Sequence, residues 1–294
     1  MKRPCLLVTG LGGQVGWELQ RTLAPLGEVH IVGLPEFDMS RPESLRAPVR
    51  ALKPDWIVNA AAYTAVDRAE TEEALATAIN GTSAGVLAEE AERLGARFVH
   101  FSTDYVFPGD QPEPYLEHDA PGPLSAYGRS KLLGEQLVLA ASPSASILRT
   151  AWVYGIRGSN FLLTMLRLAN ERAALRVVAD QRGSPTWSRM LAESVAAIIK
   201  HDLAGGPRVS GMFHLTSSGC TTWHRFAECI IAGGAARGLC KQIPVEPIGT
   251  ADYPTPAKRP AYSTLGGTRL LDAAGIQLPD WEQCLQLCLD DLKR

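Results

Sequence analysis

The segment Gly10-Leu11-Gly12-Gly13-Gln14-Val15-Gly16 constrains the fold more than any other part of the sequence. It follows a short apolar run, Leu6–Val8, and opens an amphipathic stretch that continues to Leu26. Glycines at positions 10, 13 and 16 permit a tight turn, close approach of the backbone to a pyrophosphate, and close packing of a helix on a strand. The N-terminus of that helix would offer free N–H groups and a positive dipole end to phosphates. The segment therefore predicts a dinucleotide-binding loop to which Gly10, Gly13 and Gly16 contribute.

Short apolar runs alternate with longer amphipathic segments through the first half of the chain. The predicted strands are Leu6–Val8, Val29–Val32, Trp56–Asn59, Phe98–Phe101 and Ser146–Leu148. The predicted helices are Gln14–Leu26, Pro42–Leu52, Glu72–Leu94 and Ser125–Ala141, the second of them begun by a capping box of Ser40 and Glu43. This alternation predicts an α/β fold with a Rossmann-like, doubly wound parallel sheet that binds its ligands at the carboxyl ends of the strands.

A change of pattern near residue 150 predicts a second, smaller domain. Helices are expected at 159–172, 188–200, 222–237 and 280–292, and loops at 180–186 and 253–260. We expect residues 1–150 to form the dinucleotide-binding domain and residues 151–294 to form mainly a substrate-binding domain. Segments around 175–205 are expected to return to the first domain, so that the two are partly interleaved.

Composition excludes several functional classes. A net charge of −2 offers no general attraction for nucleic acid or for an anionic membrane. No apolar run reaches the roughly 18 residues that span a bilayer. The six cysteines form no CxxC and no regular framework, which suits reduced thiols. We therefore expect a cytoplasmic protein that binds neither nucleic acid nor membrane.

Tyr127 and Lys131 lie four residues apart in a segment predicted to be helical. At this spacing both side chains leave the same face of the helix. A lysine ammonium beside a phenol favours the phenolate, so we expect Lys131 to lower the pKa of Tyr127 toward neutral pH. Such a phenol can give or take a proton in carbonyl and alcohol chemistry. The same spacing also fits a tyrosine and a lysine that are merely solvated on the surface of a helix.

The ends of the second and third predicted strands bear on cofactor binding. An acid after the second strand would bind a ribose 2′-hydroxyl, and a basic residue would accept a 2′-phosphate. Glu36 is an acid near this position and no Lys or Arg follows the strand before Arg41, which favours NADH without excluding NADPH. After the third strand, Ala60, Ala61 and Ala62 leave a bare wall that suits either a flat ring of the cofactor or tight core packing.

Six phrases spread over nearly the whole chain carry a family resemblance: GQVGWELQ, NAAAYTAVDRAE, STDYVFPG, RTAWVYG, DQRGSPT and YPTPAKRP. Together with Tyr127 and Lys131 they resemble the extended short-chain dehydrogenase/reductase family and, within it, the reductases of nucleotide-linked keto sugars. The resemblance implies NADPH or NADH as cofactor. It also implies a small-molecule substrate, a dTDP-linked 4-keto-6-deoxy-hexose.

The resemblance assigns roles to individual residues. Tyr127 would donate a proton to the C4 carbonyl oxygen, Lys131 would lower its pKa and bind the nicotinamide ribose, and Thr103 would hydrogen-bond the same oxygen. Asp104 and Trp152 match positions that contact the sugar, although Trp152 suits a core aromatic equally well. The remaining matches are cofactor contacts: Gly12, Gly13, Gln14, Val15, Asp38, Met39, Ala61, Ala62 and Tyr63. Tyr127 is expected to contact the cofactor as well, as Lys131 does.

Four charged residues lead to weaker expectations. Lys258 and Arg259 suit the diphosphate of the substrate, since guanidinium groups bind phosphate oxygens in pairs, and they suit a solvated basic turn at least as well. Some members of the family carry Mg²⁺ at a dimer contact. Glu18 and Asp291 are the acids that could hold such an ion in a homodimer of this chain. The sequence favours the simpler interpretation that both are solvated acids on the surface.

Two other functions stay open on the sequence alone. Nucleotide-sugar 4,6-dehydratases of the same family carry Thr-Asp-Glu after the corresponding strand, whereas Thr103-Asp104 is followed here by Tyr105. The second acid of the dehydratases is therefore missing, and epimerases lack the STDYVF and YPTP phrases. A non-catalytic NAD(P)-binding regulatory subunit also resembles this family, but the presence of Thr103, Tyr127 and Lys131 favours turnover.

Overall fold

Twelve strands and eleven helices make up the regular structure of residues 3–293, the part of the chain that the computed structural model describes. The strands are β1 (Cys5–Thr9), β2 (Glu28–Val32), β3 (Trp56–Asn59), β4 (Arg97–Thr103), β5 (Ser146–Thr150), β6 (Val153–Tyr154), β7 (Leu175–Val178), β8 (Arg182–Gly183), β9 (Thr186–Trp187), β10 (Gly211–His214), β11 (Thr221–Thr222) and β12 (Val245–Ile248).

The helices are α1 (Gln14–Thr22), α2 (Arg46–Leu52), α3 (Val66–Ala69), α4 (Glu73–Thr77), α5 (Ser83–Leu94), α6 (Ala126–Ala141), α7 (Phe161–Glu171), α8 (Ser188–Leu203), α9 (Trp223–Ala236), α10 (Arg269–Ala274) and α11 (Trp281–Lys293). A π turn at Ala78–Thr82 joins α4 to α5, and 3₁₀ turns lie at Pro42–Leu45, Asp104–Val106 and Thr250–Asp252. Within residues 3–293, no helix has both the length and the apolar character that crossing a bilayer requires.

Six strands form one parallel sheet in the order β10-β5-β4-β3-β1-β2. The register places Thr9 beside Asn59 and Thr103 beside Thr150, so the carboxyl ends of four neighbouring strands meet at one edge. The predicted Rossmann-like α/β fold is therefore confirmed.

Helices cover both faces of this sheet. Leu6 and Val8 face one side, where they share a buried cluster with Leu19 of α1 and Val195 of α8. Leu7 faces the other side, in a cluster with residues of α5 and α6. Because both faces are buried, the strands read as nearly continuous apolar runs in the sequence.

The second half of the chain contributes to two places in the fold. A separate apolar cluster joins α7, α9 and α11, and its buried members include Leu166, Phe226 and Leu285. Strand β10 instead extends the main sheet beside β5, and α8 packs on α1. The division of the chain at residue 150 stays a prediction.

Two local predictions about helices were wrong. Ser40 caps no helix, because its hydroxyl donates to Asp38 Oδ1 at 2.7 Å and Arg41 is the residue before the following 3₁₀ turn. The predicted helix Glu72–Leu94 is interrupted by the π turn. Within that turn, Asn80 Oδ1 accepts from the backbone N–H of Tyr63 at 2.8 Å, a long-range bond that helical periodicity does not reveal. Such π turns are frequent at functional sites.

Gly134 of α6 offers a test of the packing between this helix and the π turn. A Cβ at position 134 would lie 2.2 Å from the carbonyl oxygen of Asn80. We expect Gly134→Ala to lower the free energy of unfolding by about 1–3 kcal/mol, the usual cost of overpacking, although alanine is ordinarily the better helix former. Urea denaturation measures the change. Gly122→Ala, whose Cβ would make only ordinary contacts with Pro108, is the control, and a fully stable Gly134→Ala protein would contradict the expectation.

Candidate active site

A cleft of about 620 Å³ opens at the carboxyl edge of the sheet. It has the size of a small-molecule site. Most residues predicted to bind a cofactor line this cleft: Gly10, Gly12, Gly13, Gln14, Val15, Asp38, Met39, Ala61, Ala62, Tyr127 and Lys131. The other two predicted cofactor residues, Gly16 and Tyr63, are not part of the lining.

The glycine loop has the backbone conformation that its sequence requires. Gly10 and Gly12 adopt φ values of 95° and 85°, which residues that have a Cβ rarely adopt. Gly16 lies beneath the loop, and a Cβ there would come within 2.3 Å of the Gly10 carbonyl oxygen. Gly16 thus allows α1 to begin directly under the loop, with its N-terminus directed at the cleft.

The alanine wall after β3 is held by a short chain of hydrogen bonds. The Thr9 hydroxyl donates to Asn59 Oδ1 at 2.7 Å and accepts from the N–H of Ala61 at 3.0 Å. The wall borders the cleft, which favours the cofactor interpretation over simple core packing. Tyr63 turns away from the cleft because its hydroxyl donates to Glu72 Oε2 at 2.5 Å.

The cleft ends at the loop after β2. Asp38 accepts hydrogen bonds from the hydroxyl and the backbone N–H of Ser40, and these bonds hold the pKa of Asp38 below its usual value. Glu36 is exposed and does not contribute to the lining. Within the described chain, Lys131 is the only basic residue of the cleft lining.

Tyr127 and Lys131 both border the cleft, but their electrostatics differ from the expectation. Desolvation raises the pKa of Tyr127, and a hydrogen bond with Thr103 offsets part of that rise. Burial also lowers the pKa of Lys131 to about 8, and its ammonium donates to the Phe101 carbonyl oxygen at 2.6 Å. The expected lowering of the tyrosine pKa by Lys131 was therefore wrong for this arrangement, because burial dominates and the ammonium binds a strand carbonyl.

Thr103 is the last residue of β4 and Asp104 follows it; both are buried. The Thr103 hydroxyl donates to Asp104 Oδ1 at 3.0 Å. Burial raises the pKa of Asp104 to about 6. The structure thus brings Thr103 next to the Tyr127 phenol, although neither Thr103 nor Asp104 forms part of the cofactor cleft.

Trp152 lies outside the cofactor cleft in a stack of aromatic rings. Its φ of 47° is unusual for a residue with a Cβ. The ring stacks on Trp223 with centroids 3.6 Å apart, and a Cβ at Gly183 would approach it to 2.4 Å. Trp152 is only partly buried and belongs to none of the buried apolar clusters of residues 3–293, which disfavours the core interpretation.

The two basic residues of loop 253–260 have different surroundings. Lys258 is exposed, as expected of a solvated turn. Arg259 instead binds Asp67 Oδ2 at 2.8 Å and the Tyr105 hydroxyl at 3.2 Å. Its guanidinium therefore binds two side chains of the protein, and neither contact was predicted from the sequence.

Glu18 and Asp291 approach the same side chain, and that side chain is a cation. Arg189 Nε lies 3.2 Å from Glu18 Oε2, and its Nη1 donates to Asp291. Within residues 3–293, no group of three or more His, Cys, Asp or Glu side chains is arranged to hold a metal ion. A guanidinium between the two acids does not fit a magnesium site.

Asn80 is a residue of the site that the sequence did not single out. Its Nδ2 donates to Ser130 Oγ at 2.9 Å, and that hydroxyl donates to the Tyr127 carbonyl oxygen at 2.8 Å. Asn80 thereby links the loop after β3 to the helix of the tyrosine. Ser102 and Thr150 were also missed, although their positions at strand ends were a usable signal.

Comparison with known proteins places this fold and cleft in the class of Rossmann-like oxidoreductases. The solved structure of a dTDP-4-dehydrorhamnose reductase from Clostridium acetobutylicum matches with a TM-score of 0.91 and 37% identity, covering 100% of both chains. That of the Bacillus anthracis dTDP-4-dehydrorhamnose reductase, in complex with NADP, matches with a TM-score of 0.90 and 35% identity over 99% of this chain and 100% of the other.

Sequence comparison is more specific. The dTDP-4-dehydrorhamnose reductase of Burkholderia thailandensis is 49% identical over 98% of each chain. The Escherichia coli K12 enzyme of the same name is 43% identical over 98% of this chain and 97% of its own. The sequence model described as "RmlD substrate binding domain" matches residues 3–294. The chain belongs to this family.

The buried ammonium of Lys131 leads to a prediction about pH. Because its pKa falls from 10.5 to about 8 on folding, the unfolded chain binds this proton more tightly than the folded one. The resulting cost is present in full below pH 8 and is lost as the pH rises toward 10.5. We expect Lys131→Met to raise the free energy of unfolding at neutral pH by about 1–3 kcal/mol, and this gain to shrink across that window.

Urea denaturation at several pH values measures the effect. Lys200→Met, a change at an exposed position of α8, is the matched control. A stability difference between Lys131→Met and the wild type that stays constant with pH would contradict the assignment of a buried, destabilising ammonium.

Proposed function

We propose that this protein reduces the C4 ketone of dTDP-4-dehydro-β-L-rhamnose to dTDP-L-rhamnose by hydride transfer from NAD(P)H, with Tyr127 as proton donor. The observation that carries the proposal is the position of the Tyr127 phenol, which borders a dinucleotide-sized cleft and lies beside Thr103. The names of the full-length relatives supply the substrate.

Reduction of a ketone needs a hydride, a proton and groups that hold the developing alkoxide. A bound nicotinamide supplies the hydride. The raised pKa of Tyr127 keeps its phenol protonated at neutral pH, as a proton donor requires. The Thr103 hydroxyl donates to Asp104 in the structure, and rotation about its C–O bond would direct it to the substrate oxygen beside the phenol.

Lys131 acts on the cofactor side in this proposal. Lys131 is part of the cleft lining, and its ammonium would bind the nicotinamide ribose while it still donates to the Phe101 carbonyl oxygen. Asp104 and Trp152 are proposed to contact the sugar.

The cofactor is NADPH or NADH. Glu36 does not line the cofactor cleft, which weakens the main argument for NADH, and the Bacillus anthracis relative is described with NADP. The ratio of kcat/KM for the two cofactors distinguishes them.

Residues 1–150 would bind the cofactor and residues 151–294 mainly the substrate, in a cytoplasmic homodimer. Sedimentation velocity at several concentrations tests the dimer.

A coupled assay separates this function from the alternatives. Because the keto sugar is made by an upstream epimerase, the assay supplies that enzyme, and NADPH or NADH oxidation is followed by absorbance with product analysis at C4. Formation of a 4-keto product from dTDP-glucose without net cofactor consumption would indicate a dehydratase. Steady absorbance with both cofactors would indicate a non-catalytic binding subunit.

Tyr127→Phe tests the proton donor. We expect kcat to fall by a factor of about 10²–10⁴, the usual contribution of a positioned acid, while the Kd for the cofactor stays close to that of the wild type. Stopped-flow kinetics and cofactor fluorescence measure the two quantities. Near-normal turnover would remove Tyr127 from the mechanism.

Removal of divalent cations tests the metal requirement. Because Arg189 already bridges Glu18 and Asp291, we expect EDTA to change neither kcat nor the midpoint of thermal unfolding. Loss of activity in EDTA that added Mg²⁺ restores would show that a metal site exists elsewhere.

A further inference from the structure

Tyr105 contacts both residues that the proposed reaction places at the ketone oxygen. Its ring meets the Tyr127 ring edge-on, with centroids 5.5 Å apart and planes at 76°. Its backbone N–H donates to Thr103 Oγ1 at 3.2 Å. Edge-on aromatic pairs of this kind have a preferred geometry, so the position of one ring restricts the other.

The hydroxyl of Tyr105 is held from the opposite side by the C-terminal half of the chain. Arg259 Nη1 lies 3.2 Å from this hydroxyl. Arg259 Nη2 donates to Asp67 Oδ2 at 2.8 Å, and Asp67 Oδ1 accepts from the backbone N–H of Ala257 at 3.2 Å. Asp67 therefore holds both the guanidinium and the backbone of the loop that carries it.

Two further features restrict how this assembly can move. Asp67 belongs to the short helix α3, three residues beyond Thr64 of the cofactor cleft. On the other side of the loop, a Cβ at Gly109 would lie 2.3 Å from Pro260 Cβ, so the two segments are in close contact. Loop 253–260 is thus held both by Asp67, near the cofactor cleft, and by Gly109, in the segment that follows β4.

We propose that Tyr105 is a positioning residue for Tyr127, and that the Asp67–Arg259 pair holds Tyr105 in place. The Tyr105 ring would exclude water from one side of the phenol and fix its direction toward the ketone oxygen. This inference rests on the proposed role of Tyr127 as proton donor. It gives Arg259 a function through Tyr105 in place of a contact with the substrate diphosphate.

Three kinds of variant separate the ring from the ion pair. Tyr105→Leu removes the ring beside Tyr127, whereas Tyr105→Phe keeps the ring and removes only its hydroxyl. Asp67→Asn and Arg259→Met each break the ion pair. Arg129→Met is the matched control, because Arg129 lies on the helix of Tyr127 and forms an exposed ion pair with Glu73 at 2.8 Å.

We expect Tyr105→Leu to lower kcat by roughly ten- to a hundred-fold, since small displacements of a catalytic group have effects of this size. The Kd for NADPH should stay unchanged. Tyr105→Phe, Asp67→Asn and Arg259→Met should each lower kcat by about two- to five-fold, as expected for a partly exposed pair. Tyr105→Phe combined with Arg259→Met should be no worse than either alone, because both break the same link.

The pH profile of kcat provides a readout that a purely structural role would not move. Water admitted beside the phenol would lower the pKa of Tyr127 toward its ordinary value. The decline of kcat at high pH should therefore begin at lower pH in Tyr105→Leu than in the wild type or in Arg129→Met.

Unchanged kcat and pH profile in Tyr105→Leu, or additive losses in the double variant, would overturn the inference. If Tyr105→Leu does not fold by circular dichroism, the single and double variants of Tyr105→Phe and Arg259→Met still decide it. An active Tyr127→Phe protein would instead refute the proposed function. An inactive Tyr127→Phe protein with a fully active Tyr105→Leu protein would refute only the positioning role.

Discussion

The parallel pairing of β1, β3, β4 and β5 is the constraint on which the site depends. Since these strands are buried on both faces, a shift of register by one residue would exchange their two apolar faces. The observed register therefore holds Thr9, Asn59, Thr103 and Thr150 at one edge. The glycine loop follows β1 and the three alanines follow β3 at this edge. Tyr127 and Lys131 of α6 line the same cleft. A cofactor cleft and a proton donor become neighbours for this reason.

Desolvation gives the site its chemical character. It raises the pKa of Asp104 to about 6, raises that of Tyr127, and lowers that of Lys131 to about 8. Each shift favours the neutral form, so the groups around the proposed reaction centre are held in an environment that is unfavourable to charge.

Local features of the site could be predicted from the sequence, whereas features made by distant segments could not. The glycine loop and the shared helix face of Tyr127 and Lys131 follow from spacings of a few residues. The pKa of Tyr127 was predicted in the wrong direction because burial desolvates its phenol. The ammonium of Lys131 instead binds the carbonyl oxygen of Phe101, on a strand 30 residues earlier. The Ser40 capping box failed because the nearby Asp38 carboxylate takes the serine hydroxyl. Arg259 and Asp67 meet across 192 residues.

The sequence by itself determined the alternation of strands and helices in the first half of the chain, the position of the glycine loop and the family, because hydrophobic period, glycine spacing and motif identity are local properties of the chain. The tertiary structure decided which groups are desolvated, which cations are already paired, and which side chain stands beside the proton donor. Burial and ion pairing depend on segments that are far apart in the chain and come together only when the sheet and its covering helices pack. Tyr105 is one residue of the STDYVFPG phrase in the sequence. Its contacts with Tyr127 and Arg259 exist only in the folded protein.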